Sequence, residues 1–216
     1  TSSVTIGDIR VLGSATGGTG TLGGDAVASG VSIGAQNGVF AIGNLGATRL
    51  NATGGSGNSV SGIGTAGSLW IATGSNGQIS AGRISDVEAI GQGGNSAGGS
   101  AGSGSGGMVD IMADGGTLAM AGIDGLSLTG RGGNGGGFAA GGVGSGGNAR
   151  IAATLGGDAG IIAATGNSAI NIAANGFGGS SGGLAGEGRG GNLVLMSDSS
   201  SSLLINGAAA SGVPVR

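Results

Sequence analysis

The chain contains no cysteine, histidine or tyrosine, and all seven of its basic residues are arginine. Without cysteine there is no disulfide framework and no thiolate metal site. Without histidine or lysine, the many serines have no base beside them to make a nucleophile, and a phosphate-binding Walker loop has no lysine. There is one proline, Pro214, and aromatics make up 2% of residues. Collagen, which needs proline and an unbroken Gly-X-Y run, is therefore excluded. Charged residues are only 8%, and the net charge of −3 offers no basic surface to nucleic acid or anionic lipid. No apolar run reaches the roughly 18 residues that span a bilayer as a helix. No export signal is visible at Thr1, which leaves a cleaved or more distant one open.

Glycine is abundant, at 60 of 216 residues, while hydrophobic residues reach 38% and mean hydropathy is positive. That combination differs from the low-hydropathy, high-charge composition of disordered chains. The glycine is organised by an internal repeat. Ile33, Ile71, Ile111, Ile151 and Leu195 each open a copy, at steps of 38, 40, 40 and 44 residues. The glycine pairs starting at Gly17, Gly54, Gly93, Gly132 and Gly178 recur at steps of 37, 39, 39 and 46. One domain over 1–216 is expected, with repeats at about 31–67, 68–107, 108–147 and 148–191 between partial repeats 1–30 and 192–216. The chain starts and stops inside a repeat, which predicts either further repeats beyond it or a unit that stacks end to end.

Each copy has a strand-forming part and a glycine tail. In "VDIMA", "TLAMAG" and "LSLTG", residues Val109, Ile111, Leu118, Met120, Leu126 and Leu128 alternate with a period of two, which marks strands. Asn37-Gly38, Asn76-Gly77 and Asp124-Gly125 supply corner residues. Three short strands cannot bury a face alone, so the pattern predicts an all-β parallel solenoid with stacked repeats. Its core is expected on three sheets. The first carries Val31/Ile33, Leu69/Ile71, Val109/Ile111, Ile151 and Leu193/Leu195. The second carries Val4/Ile6, Val39, Ile79, Leu118/Met120, Ile161 and Leu203/Ile205. The third carries Ile9/Val11, Leu50, Val87, Leu126/Leu128 and Ile170/Ile172. Ile161-Ile162, apolar at adjacent positions, leaves the local facing open. In the tails Gly130, Gly133 and Gly136 stand three apart, as do Gly141, Gly144 and Gly147. A period of three is what close-packed polyglycine or polyproline-II helices require. Flexible loops are the simpler alternative; recurrence in five copies, each with room for an apolar residue such as Phe138 or Leu184, favours ordered hairpins.

Candidate sites are few. The G-x-G-x-x-G matches in the tails lack the following helix that a dinucleotide loop needs. Asp114, Asp158 and Asp198 fall at similar turn positions, so a stacked acidic column for a hard cation and simple turn capping both fit them. Asp86/Glu88 and Asp110 with Asp114 are the carboxylate pairs available for glycoside hydrolysis; Asp86 and Glu88 equally suit a solvated strand face. Trp70 precedes the inward Ile71 and should point outward, against a neighbouring tail, a sugar or another filament. Phe138 is the second expected surface contact. No cofactor and no enzymatic activity are expected.

The short Val/Ile/Leu/Ala strands, the Asn-Gly and Gly-Gly corners and tails such as "GGNGGG" and "GEGRGGNLVL" resemble large bacterial β-strand-repeat surface proteins of the filamentous-haemagglutinin and autotransporter type. The resemblance, one of composition and cadence, implies export to the cell surface and a role as adhesin, surface fibre or biofilm scaffold. The repeat departs from it in length, since a plain solenoid coil takes about 20 residues. The tails alone resemble glycine-rich phage tail-fibre adhesins. The expected function is thus a fibre-forming structural or adhesive module that associates with itself. The alternatives are a receptor- or glycan-binding adhesin acting through its tails and, more remotely, a polysaccharide-processing β-helix enzyme.

Overall fold

A computed structural model describes residues 2–161, 170–205 and 208–210. Among them every regular element is a strand, numbered here in chain order. The first sheet stacks β5 (Val31–Ala35), β10 (Ser68–Gly74), β14 (Met108–Asp114), β18 (Asn148–Thr154) and β23 (Asn192–Ser197). The second stacks β1 (Ser3–Ile6), β6 (Val39–Ile42), β11 (Gln78–Ala81), β15 (Thr117–Met120), β19 (Asp158–Ile161) and β24 (Ser202–Ile205). β25 (Ala208–Ala210) lies antiparallel on β24. The third stacks β2 (Leu12–Thr16), β7 (Thr48–Thr53), β12 (Ile84–Gln92), β16 (Ile123–Arg131) and β20 (Ile170–Ala173), and β21 (Gly176–Phe177) also pairs with β16. All these pairings except β24–β25 are parallel, so the molecule is a parallel β-solenoid with one strand of each sheet per turn.

Parallel stacking in register places like residues above like. Ile33, Ile71, Ile111, Ile151 and Leu195 form one inward column. Val4, Phe40, Ile79, Leu118, Ala159 and Leu203 form another, as do Ile6, Ile42, Ala81, Met120, Ile161 and Ile205. These columns meet in one continuous core. Each fully buried Ile or Leu in it contributes about 1.5–3 kcal/mol.

Two expectations about the core are corrected. Val39 is not the second-sheet core residue; Phe40 occupies that column and Val39 is 37% exposed. The segment "VFAI" is apolar at adjacent positions, so its alternation alone does not say which half faces in. The third sheet also has a column of which the sequence reading held only the two ends, Ile9 and Ile170; between them it runs through Leu45, Ile84 and Ile123. The cause is the corner that follows it. Ala47, Asp86 and Gly125, at equivalent places in three turns, have φ of 46°, 54° and 70°. A left-handed residue resets the alternation, so inward residues fall three apart, as at Ile84 and Val87. Ser75, Gly115 and Leu155 mark a second such corner. Ile162 lies outside the described residues.

The tails are ordered. Each leaves the third sheet, runs outward and returns to the first sheet. The return leg carries a further short strand: β4 (Ala26–Val27), β9 (Gly64–Thr65), β13 (Gly104–Ser105), β17 (Gly144–Ser145) and β22 (Gly188–Arg189), stacked as a fourth sheet. In the first two tails β3 (Gly20–Leu22) also pairs with β8 (Gly57–Val60). The three strands expected per repeat are therefore joined by a fourth, within the tail.

Candidate interaction surface

The stacked tails form a lobe beside the coil, built almost wholly by backbone. Its centre is a single chain of hydrogen bonds. The Gly186 N–H donates to Gly179 O, Gly179 to Gly142, Gly142 to Gly133, Gly133 to Gly102 and Gly102 to Gly94. From Gly94 the chain continues through Gly62, Gly55 and Gly24 to Gly18, every bond 2.8–2.9 Å long. It passes alternately from the return leg to the outgoing leg of one tail and from there to the return leg of the turn before.

This spacing leaves no room for side chains. A Cβ on Gly102 would fall on Gly62 O, one on Gly133 on Gly94 O, and one on Gly142 on Gly102 O. Gly130, Gly144 and Gly147, from the threefold series, face Ser145 O, Phe177 O and Gly107 O in the same way. The glycine period is thus a close-packing requirement between backbones. At the outer end Asn134 N–H donates to Asn95 Oδ1 (2.8 Å), and Ser180 N–H donates to Asn134 Oδ1 (3.0 Å), extending the order towards the tip.

Beyond that ladder the tips expose apolar side chains. Phe138 is 96% exposed, and Leu22, Val60 and Leu184 are exposed as well. At the base of the lobe the Arg131 guanidinium lies 5.9 Å from the Phe177 ring centroid. Trp70 points outward from the first sheet, 39% exposed. Its ring rests over Gly34 of the preceding turn, where an added Cβ would stand 3.4 Å from Cζ3. The contact found within the molecule is turn-on-turn, within the first sheet.

The aspartates do not form one column. Asp114 ends β14 and pairs in register with Thr154, whose hydroxyl donates to it (2.9 Å). Asp198 lies on the same corner, accepting from Leu155 N–H (2.7 Å) and from the N–H and hydroxyl of Ser200. Asp158 lies across the corner, in register with Thr117 and Ser202. Among the described residues no three acidic groups converge as a metal site would need. Asp198 has the geometry of a turn cap, and hydrogen bonds from the Ser201 hydroxyl and Leu155 N–H lower its pKa to about 2.

Asp86 and Glu88 share a face as expected, and one cation holds both. The Arg49 guanidinium lies 3.1 Å from each carboxylate, and its Nη1 donates to the Asp86 carbonyl at 2.7 Å. Arg49 thereby ties down the left-handed corner of the turn above it. Arg83 faces Asp124 at 3.6 Å. Asp110 has one buried carboxylate oxygen without a partner, and Arg150 stands 3.8 Å from the other oxygen.

No protein-family model, curated protein or solved structure matches the chain. The functional reading therefore rests on the chemistry of these surfaces. The glycine ladder was only half legible in the sequence: spacing signalled close packing, but nothing in a row of glycines tells which leg bonds to which.

Proposed function

We propose that this protein is a structural module of an extracellular, bacterial surface fibre or adhesin, extended by end-to-end stacking of its turns. The observation that carries the reading is the in-register parallel stacking of like strands, turn upon turn, in four sheets. Each turn presents to the next the same row of parallel strand edges that it receives from the one before, and such edges template further strands. The surfaces support a mechanical role: short ion pairs serve corners, and the glycine lobe is packed backbone on backbone. Sedimentation velocity with negative-stain imaging over a concentration series tests it. Elongated particles that grow with concentration are expected; a monomer at every concentration would end the fibre reading.

Phe138 supports a second reading, recognition of a receptor or glycan by the tail tips, because a fully presented aromatic suits either contact. Removing 134–141 and measuring cell and glycan binding tests it. Retained binding would rule the tips out.

A further inference from the structure

We propose that the outer face of the first sheet, from Trp70 to Asn192, binds a neutral oligosaccharide laid along the solenoid axis. The site belongs to the coil and not to the tail tips, and it depends on neither reading above.

The first argument is where the chemistry collects. Trp70, Asp110 and Arg150 follow one another in register across β10, β14 and β18. Each stands between two buried residues of its strand, so all three point outward. The chain has one tryptophan and four methionines. This face holds the tryptophan and, at outward positions, Met108, Met112 and Met196, while Met120 is in the core. The outward row of the second sheet holds small residues instead, Ala41, Ser80, Ala119 and Gly160.

The second argument is shape. A groove of about 1060 Å³ crosses β14, β18 and β23, and Asp110, Asn148, Arg150 and Asn192 line it. A second hollow of about 400 Å³ lies against Trp70 and Met112. Trp70 and Asp110, partners in register, stand where the two meet. From Trp70 to Asn192 four strands are crossed, about 14 Å at the usual strand spacing. That length suits a chain of rings rather than one ring.

The third argument is unmet hydrogen bonding. Among the described residues one Asp110 carboxylate oxygen has no donor, and the side chain is only 18% exposed. Arg150 stands 3.8 Å from the other oxygen, beyond hydrogen-bond distance. Asn192 Nδ2 donates to Asn148 Oδ1 at 3.2 Å, which leaves Asn148 Nδ2 and Asn192 Oδ1 for another partner. The groove therefore offers acceptors and donors side by side, and a hydroxyl group serves both. A half turn about the Asp110 χ2 exchanges its oxygens, so the unpaired one reaches the groove. The Trp70 ring rests over Gly34, where no side chain lifts it from the sheet. Its exposed side is an apolar platform for the C–H face of a sugar ring. Asp110 and Arg150 cancel in charge, which selects a neutral ligand; an acidic sugar would set its carboxylate against Asp110. An apolar peptide would cover both charges and pair neither.

The test uses the tryptophan. Trp70 is the only one and the chain has no tyrosine, so its emission reports this face alone. The full chain is titrated, by fluorescence and by calorimetry, with cellohexaose, maltohexaose, mannohexaose and N-acetylchitohexaose, and with hexagalacturonate as the acidic comparison. At least one neutral probe is expected to bind and to shift the Trp70 emission to shorter wavelength. Asp110→Ala is expected to bind that probe more than about tenfold more weakly while melting no lower than the wild type. Trp70→Ala, followed by calorimetry, is expected to weaken it by a similar factor and, at an exposed position, decides the matter alone if Asp110→Ala does not fold. Calorimetric binding without a change in Trp70 emission would overturn this site and leave the tip reading standing. Undiminished affinity in the variants, binding of hexagalacturonate alone, or no binding of any probe at millimolar concentration would overturn it too.

Discussion

The coil and the glycine lobe stack through the same turns but are held together differently. In the coil, equivalent positions exchange size freely: Leu69, Val109, Ala149 and Leu193 share one column, and Ile42, Ala81 and Met120 share another. A strand-to-strand spacing of about 4.8 Å fixes the backbones, and side chains fill the space between sheets as volume allows. In the lobe two layers of backbone approach until only hydrogens fit between them, and glycine recurs without substitution along the ladder. The coil thus gains stability from apolar burial with many acceptable sequences. The lobe gains it from satisfied peptide groups with one.

The sharpest way to break this contrast is to add one methyl group to the lobe. Gly102→Ala would place a Cβ on Gly62 O, between backbones that the ladder holds from both sides. We expect a loss of about 4 kcal/mol or more, beyond ordinary overpacking because neither neighbour can retreat without losing its hydrogen bond. Gly98→Ala, in the same tail, where the added Cβ would meet only Asn58 O at 3.6 Å, is expected to change the melting temperature little. Equal melting of the two variants would show that the lobe is looser than its geometry.

The matching change in the coil removes volume. Ile111 is fully buried at the middle of the first-sheet column. Ile111→Ala is expected to cost about 3 kcal/mol, within the range for buried aliphatic truncation. Alanine already stands at 149 in the adjoining column, so the fold should survive. Chemical denaturation of both variants would test the ordering, with Gly102→Ala the worse.

How much was legible follows the same division. The column from Ile33 to Leu195 could be read off because its residues alternate cleanly and recur at a near-constant step. Phe40 could not be separated from Val39, since alternation fails where both neighbours are apolar. The column through Leu45, Ile84 and Ile123 was hidden by a backbone angle: Asp86 and Gly125 do not announce a positive φ that shifts the spacing from two to three. For the aspartates, Asp114 and Asp158 are close in sequence position within their turns but sit on opposite sides of a corner. The lobe was legible as a period and not as a bonding pattern, since glycine has no side chain to show which way it faces.

A smaller test turns on a polar group inside the coil. Thr73 is buried, and its hydroxyl has no partner among the described residues. Its neighbours in register are Ala35 and Ala113. Thr73→Val keeps the shape and removes the unmatched hydroxyl, so we expect stabilisation of about 1 kcal/mol. A lower melting temperature would mean that the hydroxyl is satisfied by water, and that the coil is less dry than its packing implies.

The smallest effect separates the two regions by pH. Asp198 caps a coil corner with a carboxylate whose pKa lies at about 2, lowered first by the Ser201 hydroxyl and then by Leu155 N–H. A depressed folded-state pKa means that the ionised form is favoured by the fold. Its contribution is complete above the unfolded value of about 3.9 and is lost as pH falls through the folded value. The melting temperature should therefore drop between about pH 4 and pH 2, and the drop should be smaller in Asp198→Asn. Parallel melting curves for the two proteins would remove Asp198 from the account. The ladder from Gly18 to Gly186 contains only peptide groups, which do not titrate. Hydrogen exchange at pH 2.5 should consequently show protection falling at the Leu155 corner while Gly102, Gly133 and Gly142 keep theirs. If the glycine amides lose protection together with the corner, the lobe depends on the coil's electrostatics, and the two regions unfold as one unit.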